Sequence, residues 1–286
     1  MISQEPVSQV GKKVRAFYEA CSFPGYEDVD TPQLLLEKAN RGVYARVLGE
    51  QLPFGVRILD AGCGTGQLAI FLSLVHRTVV GADFSWNSLQ KANEFKREFG
   101  LKNVHFLQMD LFSAALQERS FDYVFCDGVL HHTADAYGGF QRVCRLLKPG
   151  GFITIGLYNT YGRLLLDLRR KIFCLTGRRL HWLDYFVRRN SGGEAKKQIW
   201  FADQYQHPHE EKFSVADVLR WFRENGISYV NSIPSIRLGE QLSPKDHLFA
   251  AGQPGSPLEN LLCEFGWILT KGREGGFFLT IGQKVV

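Results

Sequence analysis

The chain has 286 residues, of which 45% are hydrophobic and 13% aromatic, and its formal net charge is +5. This composition is that of a globular protein with a sizeable core, and the modest charge supports neither a strong nucleic-acid binder nor an acidic tail. The six cysteines form no Cys-x-x-Cys pair, which argues against a zinc knuckle or a redox dithiol.

The first 55 residues predict a helical N-terminal cover, including a helix over 33–52 with Thr31 and Pro32 as its cap and first turn. Residues 17–32 predict a flexible segment over the site, in which Tyr18 and Tyr26 either touch a ligand or pack. The opening residues have no apolar segment of the signal-peptide kind, and no run of about 18 apolar residues occurs anywhere. We therefore expect a cytoplasmic protein.

Between residues 56 and 158, short apolar runs rich in β-branched residues alternate with stretches of helical periodicity. Strands that are almost continuously apolar and are separated by helices are typical of a parallel sheet covered on both faces. The predicted strands are 56–60, 78–83, 104–110, 121–127 and 151–158. A predicted helix over 138–151 closes on its final glycines.

The pattern changes after residue 158, because the next 55 residues are rich in arginine and aromatic side chains. They predict a helical lid inserted between strands five and six. A helix capped by Ser214, a sixth strand, a loop and a last strand over 275–284 then complete the sheet. We predict an α/β, Rossmann-like fold with seven mostly parallel strands and helices on both faces. Its predicted divisions are 1–55, 56–158, 159–213 and 214–286.

A glycine turn follows the first strand in "ILDAGCGTGQLAI", with glycines at 62, 64 and 66. The turn has no P-loop lysine, so it does not predict a P-loop. The third glycine comes one residue too early for a dinucleotide fingerprint, and Asp60 would place a carboxylate beside the pyrophosphate. Asp60 instead suits a ligand that carries an ammonium group.

Two more acids end the next two predicted strands. Asp83 can accept both hydroxyls of a ribose, and Asp110 can accept from an adenine amino group. Together with Asp60 they fit S-adenosylmethionine, which has an ammonium, a ribose and an adenine but no phosphate. An aspartate that merely caps the following turn is the alternative for Asp60 and Asp110.

The ordered motifs of this region resemble those of class I S-adenosylmethionine-dependent methyltransferases, especially the group of ubiquinone and menaquinone enzymes. They are "ILDAGCGTGQLAIFL", "VVGADFSWNSLQKA", "VHFLQMDLF", "FDYVFCDGVLHHTAD" and "CRLLKPGGFITIGLYN". The resemblance implies S-adenosyl-L-methionine as cofactor, with S-adenosyl-L-homocysteine as product. The positions it implies for cofactor binding are Gly62, Gly64, Gly66, Asp83, Phe84, Asp110, Leu111, Asp127 and Gly128.

Methyl transfer from a sulfonium needs a protein base only when the acceptor must lose a proton. The candidate catalytic residues are His132 after strand four, Tyr158 after strand five and His207 in the polar cluster "WFADQYQHPHEEKF". Packing against the cofactor is the alternative for His132, and a wall position is the alternative for Tyr158. The cluster at 200–213 suits substrate binding or a simple helix cap, and it lacks a recognised metal-ligand spacing, so we predict no metal.

Residues 163–197 contain ten basic and three acidic side chains, a local net charge of +7, interleaved with apolar residues. This pattern is typical of an amphipathic lid whose basic face meets solvent, a membrane surface or an anionic substrate. We expect a small-molecule or lipid-like acceptor, with peripheral membrane contact through this stretch as a possibility. Nucleic acid is disfavoured because no RNA-binding module is visible.

We predict O- or C-methylation by in-line displacement. The alternatives are an RNA methyltransferase, a protein that binds S-adenosylmethionine without catalysis, and a nicotinamide oxidoreductase. The acceptor, the methylated atom and the oligomeric state are not predicted from this sequence.

Overall fold

The computed structural model describes residues 9–20, 29, 31–113, 115–176, 201–202, 204–270 and 276–285. Within them, a single seven-stranded sheet is surrounded by helices. The strands are β1 (Arg57–Ala61), β2 (Thr78–Asp83), β3 (Val104–Gln108), β4 (Phe121–Asp127), β5 (Leu147–Tyr158), β6 (Ile227–Ile233) and β7 (Phe277–Lys284). The helices are α1 (Gln9–Ala20), α2 (Pro32–Asn40), α3 (Val43–Gln51), α4 (Gln67–Ser73), α5 (Trp86–Glu98), α6 (Ala136–Leu146), α7 (Leu164–Leu175), α8 (Val215–Glu224) and α9 (Pro257–Thr270).

The strand order is β3-β2-β1-β4-β5-β7-β6, and only β7 runs antiparallel to its neighbours. The chain winds in one direction from β1 to β3 and in the other from β4 onward. The order therefore reverses between β1 and β4, and ligands of open α/β sheets bind outside the carboxyl ends of the strands at such a reversal. This confirms the predicted Rossmann-like fold and locates the site before any side chain is considered.

Alternation along β1 divides the core between two faces of the sheet. Leu59 and Ala61 face a cluster that includes α6, α8 and α9, whereas Ile58 faces one that includes α2, α3, α4 and α5. Both faces are therefore covered by helices, as predicted. Asp60 has the same parity as Ile58, so its carboxyl group lies on the α2–α5 face.

Several predicted boundaries were wrong. The single helix predicted over 33–52 is two helices, because the chain turns at Arg41 and Gly42 caps α3 with an extended backbone. The helix predicted to run into Lys148-Pro149-Gly150 ends at Leu146, and those residues begin β5. The predicted loop between strands six and seven contains α9, and α1 reaches into the segment predicted to be flexible.

Other boundaries were confirmed. The strands over 78–83 and 121–127 agree with β2 and β4 at both ends. Ser214 caps α8 in a capping box with Asp217, and Gly226 follows that helix with a φ of 65°. Among the described residues, no helix has the length and apolarity needed to traverse a bilayer.

The insertion after β5 is anchored to the sheet by Asn159 and Glu264. Asn159 donates its side-chain amide to the Glu264 carboxylate over 2.5 Å, and the Val215 backbone donates to the same oxygen over 2.9 Å. Both side chains are buried. One carboxylate of α9 therefore fixes the end of β5 to the start of α8, on either side of the insertion.

Candidate functional site

The glycine turn after β1 is built from backbone geometry that excludes larger residues. The Gly62 and Cys63 amides both donate to the Ala82 carbonyl, over 2.7 and 3.1 Å, which ties the turn to the end of β2. Gly62 has a φ of 82°, and a Cβ on it would lie 2.2 Å from the Val129 side chain. Gly66 has a φ of 81° at the start of α4. The glycines thus allow close packing as well as the turn itself.

Asp83 braces this turn from the end of β2. Its Oδ2 accepts from the Gly64 amide over 2.8 Å, and its Oδ1 accepts from the Ser85 amide over 2.8 Å. Burial raises the pKa of Asp83, and these backbone hydrogen bonds oppose that rise. Each carboxylate oxygen keeps a further lone pair, so the brace is compatible with the predicted acceptance from a ribose.

Asp60 and Asp127 are buried carboxyl groups on adjoining strands with unpartnered oxygens. Oδ2 of Asp60 and Oδ1 of Asp127 are buried without a hydrogen-bond partner. Asp60 pairs with Phe125, two positions before Asp127, so the two acids share one face of the sheet. Burial raises the pKa of Asp60 to about 7, with a further rise from Asp83. Burial and then the charge of Asp60 raise the pKa of Asp127 well above its usual range.

Unpartnered buried carboxyl oxygens are rare because each carries a desolvation penalty. A bound cation removes that penalty and restores the charged forms. The pair therefore fits the amino-acid end of S-adenosylmethionine, which brings an ammonium group to this edge. This observation on the donor set is independent of the motif resemblance.

The predicted adenine side of the site is less well defined. β3 ends at Gln108, so Asp110 lies beyond the strand, and its Oδ1 accepts from the Phe112 amide over 2.9 Å. One carboxylate oxygen of Asp110 therefore caps the following turn, as the alternative interpretation predicted. Leu111 begins the short 3-10 turn that Asp110 caps. The roles of Asp110 and Leu111 at the adenine remain predictions. The roles of Phe84 and of Gly128, which has a φ of 81°, also remain predictions.

Four aromatic rings meet beside the carboxyl ends of β4 and β5. His132 stacks on His207 with 3.6 Å between ring centroids, and His131 lies 4.1 Å from both His132 and Tyr158. Tyr158 lies 5.9 Å from His132. The structure thus brings together the three predicted catalytic residues, although 75 residues of chain separate His132 from His207. We call this group of four rings the histidine chamber.

The chamber histidines are held neutral. Burial is the main cause that lowers the pKa of His132 well below 6.5 and that of His207 to about 4. Nδ1 of each ring lies near the His209 carbonyl, at 2.9 and 2.6 Å respectively. A carbonyl only accepts, so each Nδ1 carries the proton and each Nε2 keeps its lone pair. The chamber therefore presents basic nitrogens rather than acids.

Arg163 was missed by the sequence analysis, although it is fully buried at the chamber wall. Its guanidinium lies 3.4 Å from the centroid of the Tyr158 ring. It pairs with Glu210 through Nε and Nη2, at 2.8 and 2.5 Å, and Nη1 donates to Gln204 over 2.8 Å. Arg170 also pairs with Glu210.

Burial alone raises the pKa of Glu210, but hydrogen bonds from Arg163 and Arg170 lower it to about 2. Glu210 is therefore ionised at any working pH. The sequence placed Arg163 among ten basic residues of an amphipathic lid, and no local signal distinguished it from the others. Only its pairing across 47 residues shows that it belongs to the wall of the chamber.

The N-terminal cover contributes to the chamber through α1. Phe17 and Tyr18 lie 4.9 and 5.5 Å from the His207 ring, and Tyr18 also approaches Phe84 at 6.3 Å. The Glu19 carboxylate accepts from the backbone amides at the start of α5, over 2.8 and 3.0 Å. This cap holds α1 across the carboxyl edge of the sheet.

Two predicted positions, Tyr26 and Asp203, lie outside the described residues. Another residue was missed, Tyr44 of α3, whose hydroxyl is buried without a hydrogen-bond partner. Burial and then the charge of Asp127 raise its pKa well above the usual value. In the part of the chain that the structure describes, no group of three or more His, Cys, Asp and Glu side chains is placed to hold a metal ion.

Comparison with known proteins identifies the family of this chain. Residues 54–226 match a family model described as a methyltransferase domain. The chain is 29% identical over 250 residues to an uncharacterized protein of Synechococcus, a match that covers 77% of this chain and 60% of the other. It is 33% identical over 113 residues to a ubiquinone biosynthesis O-methyltransferase of Paracidovorax citrulli, covering 39% of this chain and 48% of that one.

A demethylmenaquinone methyltransferase of Staphylococcus haemolyticus is 28% identical over 144 residues, covering 45% of this chain and 59% of the relative. The chain thus spans about half to three fifths of the length of these curated relatives.

Solved structures share the fold at low identity. The cyclase SpnF superposes with a TM-score of 0.55 and 19% identity, over 98% of both chains. The magnesium protoporphyrin IX methyltransferase of Synechocystis, determined with bound SAH, has a TM-score of 0.50 and 16% identity, over 99% of this chain and 90% of the other.

We expect Asp83→Ala to weaken binding of S-adenosylmethionine by about 1–3 kcal/mol, because the variant loses hydrogen bonds to a charged acceptor and the brace on Gly64. Isothermal titration measures this change. Asp122→Ala, at the opposite end of β4, is the matched control and should leave the Kd unchanged. An unchanged Kd for Asp83→Ala would remove that residue from the site.

We expect the contribution of Asp60 to the stability of the cofactor-free protein to fall as pH rises from about 4 to 7. The pKa of Asp60 is raised to about 7 in the fold, so its stabilising contribution is present below its ordinary 3.8 and is lost as the group ionises. Asp60→Asn should therefore be more stable than the parent at pH 8, by up to about 4 kcal/mol, and should bind S-adenosylmethionine more weakly.

Thermal unfolding at pH 5 and pH 8, with and without cofactor, measures both effects. Asp122 is the control, because its pKa is lowered in the fold whereas that of Asp60 is raised. Burial alone raises its pKa, but hydrogen bonds from Lys148 and the Arg57 amide lower it overall, so Asp122→Asn should not gain stability at pH 8. Equal stability of Asp60→Asn and the parent at pH 8 would show that Asp60 is not a buried charge.

Proposed function

The chain belongs to the family of class I S-adenosylmethionine-dependent methyltransferases, with S-adenosylmethionine as its cofactor, and we propose that it methylates an oxygen or carbon atom of a small or lipid-like acceptor. The observation that carries the proposal is the pair of unpartnered carboxyl oxygens, on Asp60 of β1 and Asp127 of β4, beside the histidine chamber at the ends of β4 and β5. A cation-binding edge thereby adjoins a buried group of aromatic rings that includes neutral histidines. That juxtaposition is what methyl transfer requires of a protein.

On this proposal, each part of the cofactor has a partner at the carboxyl edge. Asp60 and Asp127 hold the amino-acid end, with Gly128 beside it, and Asp83 accepts from the ribose. Asp110 and Leu111 flank the adenine, and the glycine turn allows the backbone to approach. When bound, S-adenosylmethionine supplies an electrophilic methyl group on a sulfonium and leaves as S-adenosylhomocysteine.

The residues of the chamber align the acceptor and manage its proton. Nε2 of His132 takes the proton from an acceptor hydroxyl as its oxygen becomes a nucleophile, and the proton then passes to water. Tyr158, fixed under Arg163, forms a flat wall against which an aromatic ring or an apolar chain packs. His207 keeps the His132 ring in place by stacking, and its own Nε2 is a second acceptor. A carbon nucleophile uses the same walls without a base.

The acceptor class is supported by the character of the chamber. Its four rings and the rings of Phe17 and Tyr18 that contact His207 favour an apolar or aromatic acceptor over a strongly charged one. The relatives named for ubiquinone and demethylmenaquinone act, by their names, on quinone-type molecules. Similarity to SpnF indicates that the fold alone does not decide the reaction. The acceptor is therefore proposed from the chamber, not from the fold.

The direct test incubates the purified chain with a protein-free extract of small molecules and lipids and a methyl-labelled S-adenosylmethionine. Mass spectrometry should find the label in an organic-soluble product, on oxygen or carbon. Asp83→Ala, at matched concentration, should reduce labelling, whereas Asp122→Ala should not. Cofactor binding without labelled product in any fraction, or label found in added RNA instead, would overturn the proposal.

We expect His132→Ala to lower kcat by about 10²–10⁴-fold for a hydroxyl acceptor, because the base is removed, while the Kd for S-adenosylmethionine is unchanged. The low pKa of His132 keeps it deprotonated, so the parent rate should stay level from pH 8 to below pH 6.5.

His105→Ala, on the exposed side of β3, is the matched control and should behave as the parent. A His132→Ala variant with the parental rate for a hydroxyl acceptor would show that the residue only packs.

A further inference from the structure

The outward face of α9 is apolar along its whole length. Leu258, Leu262, Phe265 and Leu269 are spaced four, three and four residues apart, and they are 66, 48, 45 and 81% exposed. This is the spacing of one helical stripe. The two acids of the helix do not interrupt the stripe, because Glu264 is buried and Glu259 accepts from the Leu238 amide. Soluble surfaces seldom expose so many large apolar side chains in one row.

The outward face of α7 combines leucines with cations. Leu164, Leu168 and Leu175 are 46, 55 and 86% exposed, and Lys171 is exposed between them on the same stripe. The one acid of α7, Asp167, is paired with Lys212 over 2.5 Å and with Arg170. This face therefore presents leucines and positive charge with no unpaired carboxylate.

The two faces join at a ring contact. Tyr161, three residues before α7, lies 4.8 Å from the exposed Phe265 of α9. Glu264 and Asn159 fix the relative position of the two helices from beneath, through the 2.5 Å hydrogen bond. We call the joined surface of α7 and α9 the leucine face.

We propose that the leucine face binds the surface of a bilayer that contains anionic lipids. Leucines enter the acyl region while Lys171 of α7 meets the headgroups, an arrangement in which apolar burial and charge attraction add. A protein partner of ordinary composition would be matched by charges of both signs, which this face does not offer. The absence of a spanning helix among the described residues agrees with binding on the surface rather than across the bilayer.

The leucine face adjoins the histidine chamber through Arg163. Arg163 immediately precedes α7, and its guanidinium packs on Tyr158 inside the chamber. A lipid-like acceptor held in the bilayer would therefore reach the chamber along the start of α7. This link rests on the proposed function, whereas the binding of the bilayer itself does not require turnover.

The test is co-sedimentation of the full chain with vesicles of phosphatidylcholine alone and with about one third phosphatidylglycerol. We expect binding to the anionic vesicles, with a partition coefficient that falls as salt is raised. Leu262→Gln combined with Leu269→Gln should lower it about tenfold or more, and Lys171→Glu should lower it about fivefold.

The matched controls are Phe54→Gln with Leu107→Gln, which change exposed apolar residues at distant edges of the sheet, and Lys102→Glu. These should bind as the parent does. Unchanged S-adenosylmethionine binding by every variant shows that each is folded and separates this test from that of methyl transfer. If a leucine variant fails to fold, Lys171→Glu and the salt dependence still decide the outcome.

Absence of binding to anionic vesicles, or equal binding by the leucine-face variants and the controls, would overturn the proposal. A dimer detected by light scattering that the leucine substitutions dissociate, without vesicle binding by the parent, would assign the face to a second copy of the chain instead.

Discussion

Charge burial at the carboxyl edge of the sheet is the constraint around which the site is arranged. Asp60 and Asp127 lie inside the α2–α5 face, where water is excluded, and each keeps a carboxyl oxygen without a hydrogen-bond partner. Their pKa values rise because desolvation disfavours the charged forms. A neighbouring carboxylate adds to each rise, Asp83 for Asp60 and Asp60 for Asp127. Such an arrangement destabilises the protein alone and is relieved by a cation, so stability and ligand binding are linked through the same atoms.

A second group of buried charges makes its hydrogen bonds within the protein and therefore does not need a ligand. Arg163, Arg170 and Glu210 satisfy one another through bidentate and shared hydrogen bonds. Buried ion pairs contribute little net stability, but their directional bonds select one arrangement of the chain. Here that arrangement places His207 on His132 and fixes Tyr158 under Arg163. The ion-pair network therefore lies against the histidine chamber, with Arg163 on the Tyr158 ring.

The contrast between the two systems separates binding from alignment. Asp60 and Asp127 each keep a carboxyl oxygen that can bind a ligand. In the second system, the arginines and Glu210 hydrogen-bond to one another. The histidines occupy an intermediate position, because their Nδ1 protons are committed to the His209 carbonyl while their Nε2 atoms remain basic. Because the fold is shared with a cyclase as well as with methyltransferases, this local division, and not the sheet, carries the chemical argument.

The sequence by itself determined the features that depend on neighbouring residues. The alternation of apolar runs and helices predicted the sheet, the glycines predicted the turn, and the positions of acids at strand ends made Asp60 and Asp83 candidate site residues. Helix boundaries were less well determined, because the break at Gly42 and the early end of α6 at Leu146 depend on packing rather than on helical propensity. The helix α9 was missed because its exposed apolar stripe does not show the usual polar outer face.

Only the tertiary structure decided which distant residues meet. It placed His132 beside His207, paired Arg163 with Glu210, and brought α1 onto the chamber through Glu19. None of these contacts leaves a periodic signal, because a side chain's type does not reveal whether its partner lies in solvent or across the fold. The degree of burial is likewise a property of the whole chain, and it is burial that makes Asp60 a weak acid and His132 a neutral base.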